Sequence, residues 1–185
     1  SNRALQAAKG AYVALLDHDD VLTEDALYWV VDALQRERYD VVYSDEDRMA
    51  ENGSHYLEPR FKPEFDIDLL RAYNYISHLF VARRELMLAD GGFHSQYDGA
   101  QGYDMILRCC EGNREICHIP RVLYHKRIHD GTSSEREAKH AQENLAGKEA
   151  LEAHVSREHL LARVMMTDQR SVYTVKYDTP GNPLV

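Results

Sequence analysis

The sequence predicts an α/β fold with a mostly parallel sheet and helices flanking it. A short apolar strand, residues 11–16, leads into an amphipathic helix near Thr23, and a second apolar strand, residues 40–44, follows. Carboxylates come directly after both predicted strands. Strand, helix and strand in this order are typical of a parallel sheet, in which ligands bind at the carboxyl ends of the strands.

Length, charge and cysteine content narrow the class of protein. The 185 residues are enough for one domain with a sizeable core. The net charge of -9 argues against the broad basic face with which proteins bind nucleic acid. The three cysteines show no C-x-x-C spacing and are interpreted as reduced thiols of a cytoplasmic protein. We expect no membrane span, because no apolar run approaches the ~20 residues that one needs.

The first elements follow from helical and strand spacing. Residues 2–9 suit the end of a helix, which Gly10 stops. Residues 11–16 are predicted to form a strand buried on both faces. Thr23 is the expected N-cap of the next helix. The apolar face of that helix is predicted at Leu27, Val30, Val31 and Leu34.

In the middle of the chain, the strand at residues 40–44 is predicted to end in the acids of residues 45–47. Residues 48–65 are polar, contain glycine and proline, and are expected to have little structure of their own. A further strand is predicted at residues 76–82, followed by a short helix at residues 83–90.

The last third is predicted to close the domain. Two short strands are expected on either side of Pro120, then a helix from Ser134 to about His154 and a strand near residues 172–177. The domain is predicted to cover residues 1–155, with residues 156–185 forming a terminal strand and a linker toward a possible next domain. Helical spacing also recurs at Met105, Ile106, Cys109 and Cys110.

The run Asp17-His18-Asp19-Asp20 carries the first candidate chemistry. In extended backbone Asp17 and Asp19 would point to the same face. Two converging carboxylates form a site for a hard cation such as Mg²⁺ or Mn²⁺. The alternative is that these acids lead into the following helix and remain solvated.

A series of motifs runs through nearly the whole chain. They are N-x-A-L-x-x-A-x-G-x-Y-V-A-L-L-D-H-D-D from Asn2, V-Y-S-D-E-D from Val42, F-K-P-E-F at 61–65, N-Y-I-S-H-L-F-V at 74–81, G-G-F at 91–93, Y-D-G-A-Q-G-Y-D-M-I-L-R at 97–108 and H-I-P-R-V-L-Y-H-K-R at 118–127. In this order they resemble glycosyltransferase family 2, the inverting transferases of GT-A fold, and most closely its bacterial rhamnosyltransferase-like branch. The resemblance implies the C-terminal part of such a domain, without its N-terminal nucleotide-binding strands.

The resemblance also implies a reaction. A sugar would pass, with inversion, from a UDP-, dTDP- or GDP-linked donor to a glycan or lipid-linked glycan acceptor in cell-surface polysaccharide biosynthesis. Mn²⁺ or Mg²⁺ held by Asp17 and Asp19 would neutralise the departing diphosphate. Asp19 is implied as the direct ligand, whereas Asp17 would face the ribose or a metal-bound water. Asp20 is expected to lead into the helix on the substrate side.

Further residues are implied by the same motifs. The string R-I-H at 127–129 resembles the family's R-x-H, so His129 is expected to contact the metal or the diphosphate, with Arg127 as a charge partner. His78 lies in the strand that matches the acceptor side and is expected to touch substrate.

One position departs from the family pattern. Inverting transfer needs a general base, which the family supplies as the second acid of an E-D or Q-D pair just before Y-D. Here the pair reads Gln101-Gly102, so Gln101 remains for substrate contact and the base position has no side chain. Asp98 and Asp104 are the nearby carboxylates that could substitute. The alternative is a module with weak or no transfer activity.

Two other classes remain open at this point. D-H-D-D-V also fits the D-x-D-x-[T/V] pattern of haloacid-dehalogenase-type phosphatases, although no later G-D-x-x-x-D motif follows. A domain that only binds a saccharide or a partner transferase would be compatible with Gly102 and with the acidic composition.

Overall fold

The computed structural model describes residues 1–89, 91–128, 133–178 and 181, and of residues 133–139 it describes the backbone alone. The strands are β1 (Tyr12–Leu15), β2 (Val21–Leu22), β3 (Val41–Met49), β4 (Tyr56–Arg60), β5 (Phe80–Arg83), β6 (Ile116–Arg127), β7 (Ala162–Met166) and β8 (Tyr173–Tyr177). The α-helices are α1 (Asn2–Ala7), α2 (Ala26–Arg36), α3 (Ile67–Ala72), α4 (Arg84–Ala89), α5 (Gln101–Cys109) and α6 (Ser133–Arg157).

A six-stranded sheet with the order β1-β5-β3-β6-β2 forms the centre, and β4 pairs with β3 beside this path. Its longest ladder joins β3 to β6 in parallel over nine paired positions. The neighbouring pairings, β1 with β5, β5 with β3, β4 with β3 and β2 with β6, are antiparallel. The predicted α/β class is confirmed, and the parallel pairing lies at the centre of the sheet.

Strand β3 is longer than the sequence predicted. The three acids Asp45, Glu46 and Asp47 lie within the strand and are buried, rather than following its end. The segment after β3 was expected to have little structure, but β4 pairs with β3 there. The two strands predicted around Pro120 are one strand, β6, with a register shift next to Pro120. Proline cannot donate to a ladder, so the shift leaves it unpaired.

Two burial predictions, one for strand β1 and one for helix α2, are wrong. Within the described residues β1 pairs only with β5, and its side chains are half-buried or exposed, so the prediction of burial on both faces is wrong. Helix α2 begins at Ala26 and buries Ala26, Val30 and Ala33, whereas Leu27 is 63 % exposed and Val31 49 %. Small alanine side chains let the helix approach the sheet closely, which turns the larger residues outward.

The C-terminal third belongs to the same packing unit as the rest of the domain. The boundary expected at residue 155 lies inside α6, and the β7–β8 hairpin packs on α3 and α6. Val164 and Tyr173 are buried in the core that also contains Leu151 of α6. Residues 162–177 therefore pack with the rest of the domain, and the strand predicted near residues 172–177 is β8.

Two apolar cores cover the two faces of the sheet. The larger contains residues of α1, α3, α4, α5 and α6, and the smaller packs α2 against β3, β5 and β6. None of the helices in the described ranges is long and apolar enough to cross a membrane.

Candidate active site

The turn after β1 brings Asp17 and Asp20 close to His78, and all three side chains can ligate a metal. The amide of Asp20 donates to the carbonyl of Asp17 across this turn at 3.3 Å. One ligand atom each from Asp17, Asp20 and His78 lie within 4.8 Å of one another. Two carboxylate oxygens and one imidazole nitrogen form a donor set that fits a divalent cation such as Mn²⁺ or Mg²⁺.

The same turn explains why this group is not centred on Asp19. Side chains alternate between faces only in extended backbone, and β1 ends at Leu15, before the acids begin. The turn brings Asp20 to the side of Asp17, while Asp19 Oδ1 lies 3.6 Å from His18 Nδ1. The structure therefore groups Asp17 with Asp20, and not with Asp19, which the family resemblance implied as the direct ligand.

Tyr124 of β6 contacts all three members of the group. Its hydroxyl donates to Asp20 Oδ2 at 2.6 Å and accepts from the amide of Asp17 at 3.3 Å. Its ring stacks on the imidazole of His78, with centroids 4.7 Å apart. Burial, with the hydrogen bond to Asp20, raises the pKa of Tyr124, so the hydroxyl stays protonated and keeps its donor. Such partners orient metal ligands.

His78 is also held from the side of the sheet. Its Nδ1 lies 3.3 Å from Glu46 Oε2 and 3.0 Å from Ser77 Oγ. Lys62 Nζ lies 3.0 Å from the same glutamate oxygen. The Nε2 of His78 lies 3.7 Å from Asp17 Oδ2, which is longer than a hydrogen bond.

These contacts set the charges of the group. Burial alone would raise the pKa of Glu46, but His78 and Lys62 outweigh it and lower that pKa to about 2. Burial alone would lower the pKa of His78, but Asp17 and Glu46 outweigh it and raise that pKa. His78 is the main cause of the lowered pKa of Asp17. The carboxylates of Glu46 and Asp17 are therefore both ionised at neutral pH.

Arg127 supports the turn from the end of β6. Its amide donates to Asp20 Oδ1 at 2.8 Å, and its Nε donates to the carbonyl of Asp19 at 2.7 Å. Its Nη1 donates to the carbonyl of Glu51 at 2.6 Å. The guanidinium thus holds backbone carbonyls, whereas the sequence predicted it as a charge partner at the substrate site. His129 lies outside the described residues.

A cleft of about 880 Å³ opens beside this group. Asp17 and His78 line it on the side of the sheet, and Gln101 and Gly102 line it from the start of α5. Such a volume is in the range of small-molecule binding sites. The structure therefore brings four of the residues selected from the sequence to one cavity.

Gly102, at the expected base position, faces open space. A Cβ built on Gly102 meets no atom within 4 Å, so the position has room for a side chain. Asp98, one of the proposed substitutes, is exposed and accepts from Gln101 Nε2 at 3.0 Å. Neither Asp98 nor Asp104 lines the cleft.

The surroundings of Asp104 argue against a role as the substitute base. It is fully buried, and Arg108 donates to its Oδ2 through Nε at 3.1 Å and Nη2 at 2.8 Å. His94 Nδ1 lies 3.2 Å from the same oxygen. A fully buried carboxylate that is paired with a buried guanidinium has no access to an acceptor hydroxyl.

The site also contains Tyr124, Glu46 and Lys62, which the sequence motifs did not single out. Each lies in a motif quoted above, V-L-Y-H-K-R, V-Y-S-D-E-D or F-K-P-E-F, so the signal was present. Their roles depend on pairing between distant strands, which no local pattern shows.

Comparison with known proteins identifies relatives of this chain. Residues 1–89 match the family model of Glycosyl transferase family 2. The chain is 43 % identical over 160 residues to uncharacterized protein y4gI of Sinorhizobium fredii and 36 % identical over 187 residues to the O-antigen biosynthesis protein RfbC of Myxococcus xanthus. It covers 85 % and 100 % of its own length in these matches, but only 18 % and 14 % of the two relatives.

A solved structure shows the same fold. The complex of S. aureus TarS 1–349 with UDP-GlcNAc matches 84 % of this chain and 51 % of its own, at 18 % identity and a TM-score of 0.56. TarS 1–349 without that ligand gives a TM-score of 0.54 at 19 % identity over 85 % of this chain and 49 % of its own. The GT-A-like fold is thereby confirmed. Residues 1–89, just under half of the chain, are thus similar to glycosyltransferase family 2.

Proposed function

We propose that this chain transfers a sugar from a nucleotide-sugar donor to a glycan acceptor, with inversion, in cell-surface polysaccharide biosynthesis. The observation that carries the proposal is the group of Asp17, Asp20 and His78 at the edge of a cleft, within the segment that matches the family. The family match gives no comparable support to the phosphatase alternative.

The relatives support the substrate classes. RfbC is named for O-antigen biosynthesis, and TarS was solved with UDP-GlcNAc. We therefore propose a UDP-, dTDP- or GDP-linked donor and a glycan or lipid-linked glycan acceptor. The three cysteines are free thiols, which favours a reaction in the reducing cytoplasm. We place it by proposal at the inner face of the cell membrane, where lipid-linked acceptors would be met.

The donor set supports a divalent cation, Mn²⁺ or Mg²⁺, held by Asp17, Asp20 and His78, with Asp19 and His129 as further candidates. Bound there, it would act as a Lewis acid toward the diphosphate leaving group. The chain's own contribution is positional, since Tyr124 orients the carboxylate of Asp20, and Glu46 fixes the ring of His78.

The general base is the role for which the described residues give the least support. Gly102 supplies no side chain, and Asp104 is enclosed by Arg108. Asp98 remains as a candidate base if its loop brings it to the acceptor, with Gln101 as its hydrogen-bond partner. This observation favours a second candidate function, a saccharide-binding module with weak or no transfer activity.

Calorimetry of the full-length protein with UDP, dTDP and GDP, with and without Mn²⁺, tests the proposal. We expect metal-dependent binding of one nucleotide that is lost in Asp17→Asn and in Asp20→Asn. Asp32→Asn is the matched control, because Asp32 pairs with Arg36 on the surface of α2. Nucleotide binding that needs no Mn²⁺ and is unchanged in both site variants would overturn the proposal. Binding without sugar transfer to any acceptor would favour the module.

A further inference from the structure

Four Lys and Arg side chains line the cleft. Arg170 pairs with Glu143 at 2.7 Å, and the other three, Arg48 of β3, Arg60 of β4 and Lys126 of β6, are called here the basic cluster. The whole chain carries 31 acidic and 22 basic residues, so this part of the cleft has the opposite charge to the protein average. A local cationic site in an acidic protein points to an anionic ligand.

The sheet places these side chains next to one another. The β3–β6 register pairs Arg48 with Lys126, and the β3–β4 register pairs Glu46 with Arg60. Glu46 and Arg48 are two positions apart on β3 and therefore share a face. Arg48 and Lys126 therefore lie side by side in the sheet, and Arg60 is paired two positions away on β3, beside Glu46.

The carboxylates around the basic cluster offset it only in part. Arg48 Nη1 lies 2.9 Å from Glu58 Oε2, but both side chains are exposed, and exposed pairs contribute little. Arg60 Nη1 lies 3.8 Å from Glu46 Oε1, and Glu46 is already bound by Lys62. Lys126 is exposed at the cleft, and its charge adds to the effect of His78 in lowering the pKa of Asp17.

We propose that Arg48, Arg60 and Lys126 form an anion subsite that binds a phosphate group of a substrate, next to the metal group and distinct from it. The inference rests on the proposed function in taking the cleft as the substrate site. Guanidinium groups bind phosphate oxygens in pairs, and an ammonium group adds a compact charge. The phosphate belongs either to the donor diphosphate or to a phosphate-bearing acceptor.

Calorimetric titration of the full-length protein with inorganic pyrophosphate in EDTA tests the subsite without a metal. We expect binding that weakens with added salt and weakens roughly tenfold in Arg48→Gln, Arg60→Gln or Lys126→Gln, since each removes a charge-assisted contact. Arg163→Gln is the matched control, because Arg163 is 77 % exposed and lies on β7, away from the cleft lining. Thermal melts identify any variant that fails to fold. Absence of binding in the parent protein, or binding by all three variants that is as tight as that of the parent, would overturn the proposal.

Two further titrations separate this subsite from the metal group and identify the source of the phosphate. Asp17→Asn is expected to keep or strengthen pyrophosphate binding in EDTA, because it removes a repelling carboxylate, while it abolishes Mn²⁺-dependent nucleotide binding. Loss of pyrophosphate binding in Asp17→Asn would contradict a distinct subsite. With UDP and Mn²⁺ saturating, continued binding of inorganic phosphate assigns the subsite to the acceptor, and displacement assigns it to the donor diphosphate.

Discussion

The hydroxyl of Tyr124 donates a hydrogen bond of 2.6 Å to Asp20 Oδ2, and this bond fixes one carboxylate of the proposed metal group. Tyr124→Phe keeps the ring that stacks on His78 and removes the hydroxyl, which donates to Asp20 and accepts from the amide of Asp17. We expect the affinity for Mn²⁺ to fall ten- to a hundredfold, the usual range for partners of metal ligands, with a loss of about 1 kcal/mol in the free energy of unfolding. Titration with Mn²⁺ measures the first, and urea denaturation the second.

Tyr28→Phe controls for the general loss of a tyrosine hydroxyl, because Tyr28 is 64 % exposed on α2. Both the affinity for Mn²⁺ and the free energy of unfolding should stay unchanged in this variant. If Tyr124→Phe also binds Mn²⁺ as the parent protein does, the carboxylate of Asp20 is not a ligand that Tyr124 orients.

Glu46 gives the domain an acid-sensitive stability. Its folded pKa of about 2 lies below its ordinary value of 4.5, so its contribution is complete above about pH 5 and is lost as the pH falls toward 2. Glu46→Gln should lower the free energy of unfolding by about 3 kcal/mol at pH 7, because it leaves Lys62 buried without its counter-charge. The difference between the variant and the parent should shrink toward pH 2.

Urea denaturation in EDTA between pH 2 and pH 8 measures this difference. Glu85→Gln is the matched control, since Glu85 is 70 % exposed and pairs with Arg83 at the surface. A difference between Glu46→Gln and the parent that stays constant over the whole range would show that the charge of Glu46 does not stabilise the fold.

Gly102→Asp tests whether the missing base limits transfer. The position lies in the first turn of α5 with room for a side chain, and an acid there is favourable near the helix N-terminus. We expect a rise in transfer of about tenfold or more, with an unfolding free energy equal to that of the parent or higher by up to about 1 kcal/mol.

Gly102→Asn is the isosteric control, since it fills the same space without a base. It should share the gain in stability that comes from replacing glycine, but not the part that a negative charge adds at the helix N-terminus, and it should show no gain in transfer. Equal turnover for both variants in the full-length protein would mean that position 102 does not limit the reaction.

Asp104→Asn should act on stability and not on substrate binding. Arg108 is 3 % exposed on its side chain and would lose its buried counter-charge, at a cost of about 3 kcal/mol in unfolding free energy. Asp98→Asn, at an exposed position, should change that free energy by no more than about 0.5 kcal/mol. Thermal and urea denaturation measure both, and a stable Asp104→Asn protein with impaired transfer would restore Asp104 as a catalytic candidate.

Local patterns were enough to predict the class and the order of most elements. The spacing of apolar residues located α2 and α5, and the apolar runs located β1, β3 and β5, because these signals depend on neighbours in sequence. The face that α2 buries was not predictable in the same way, since Ala26 and Ala33 pack well only because the sheet beneath them leaves room for a close approach.

The candidate site was predicted in outline. Asp17 and His78 were selected from motifs, and both line the cleft. The partnership of Asp17 with Asp20 depends on the turn after β1, and strand alternation gave Asp19 instead. The exclusion of Asp104 depends on its contact with Arg108, one helical turn further along α5. In the sequence, an acid and an arginine at this spacing resemble an ordinary surface pair.

The three consecutive acids of β3 also affect how the domain folds. Asp45 pairs with His118, Glu46 with Lys62 and His78, and Asp47 with His125, so each charge depends on a partner 16 to 78 residues away. No short fragment of this chain can neutralise that strand, and such non-local contacts form slowly. The amides of β3 should therefore exchange with solvent only through global unfolding, and the ion pairs of this strand should form at the end of folding, together with the whole domain.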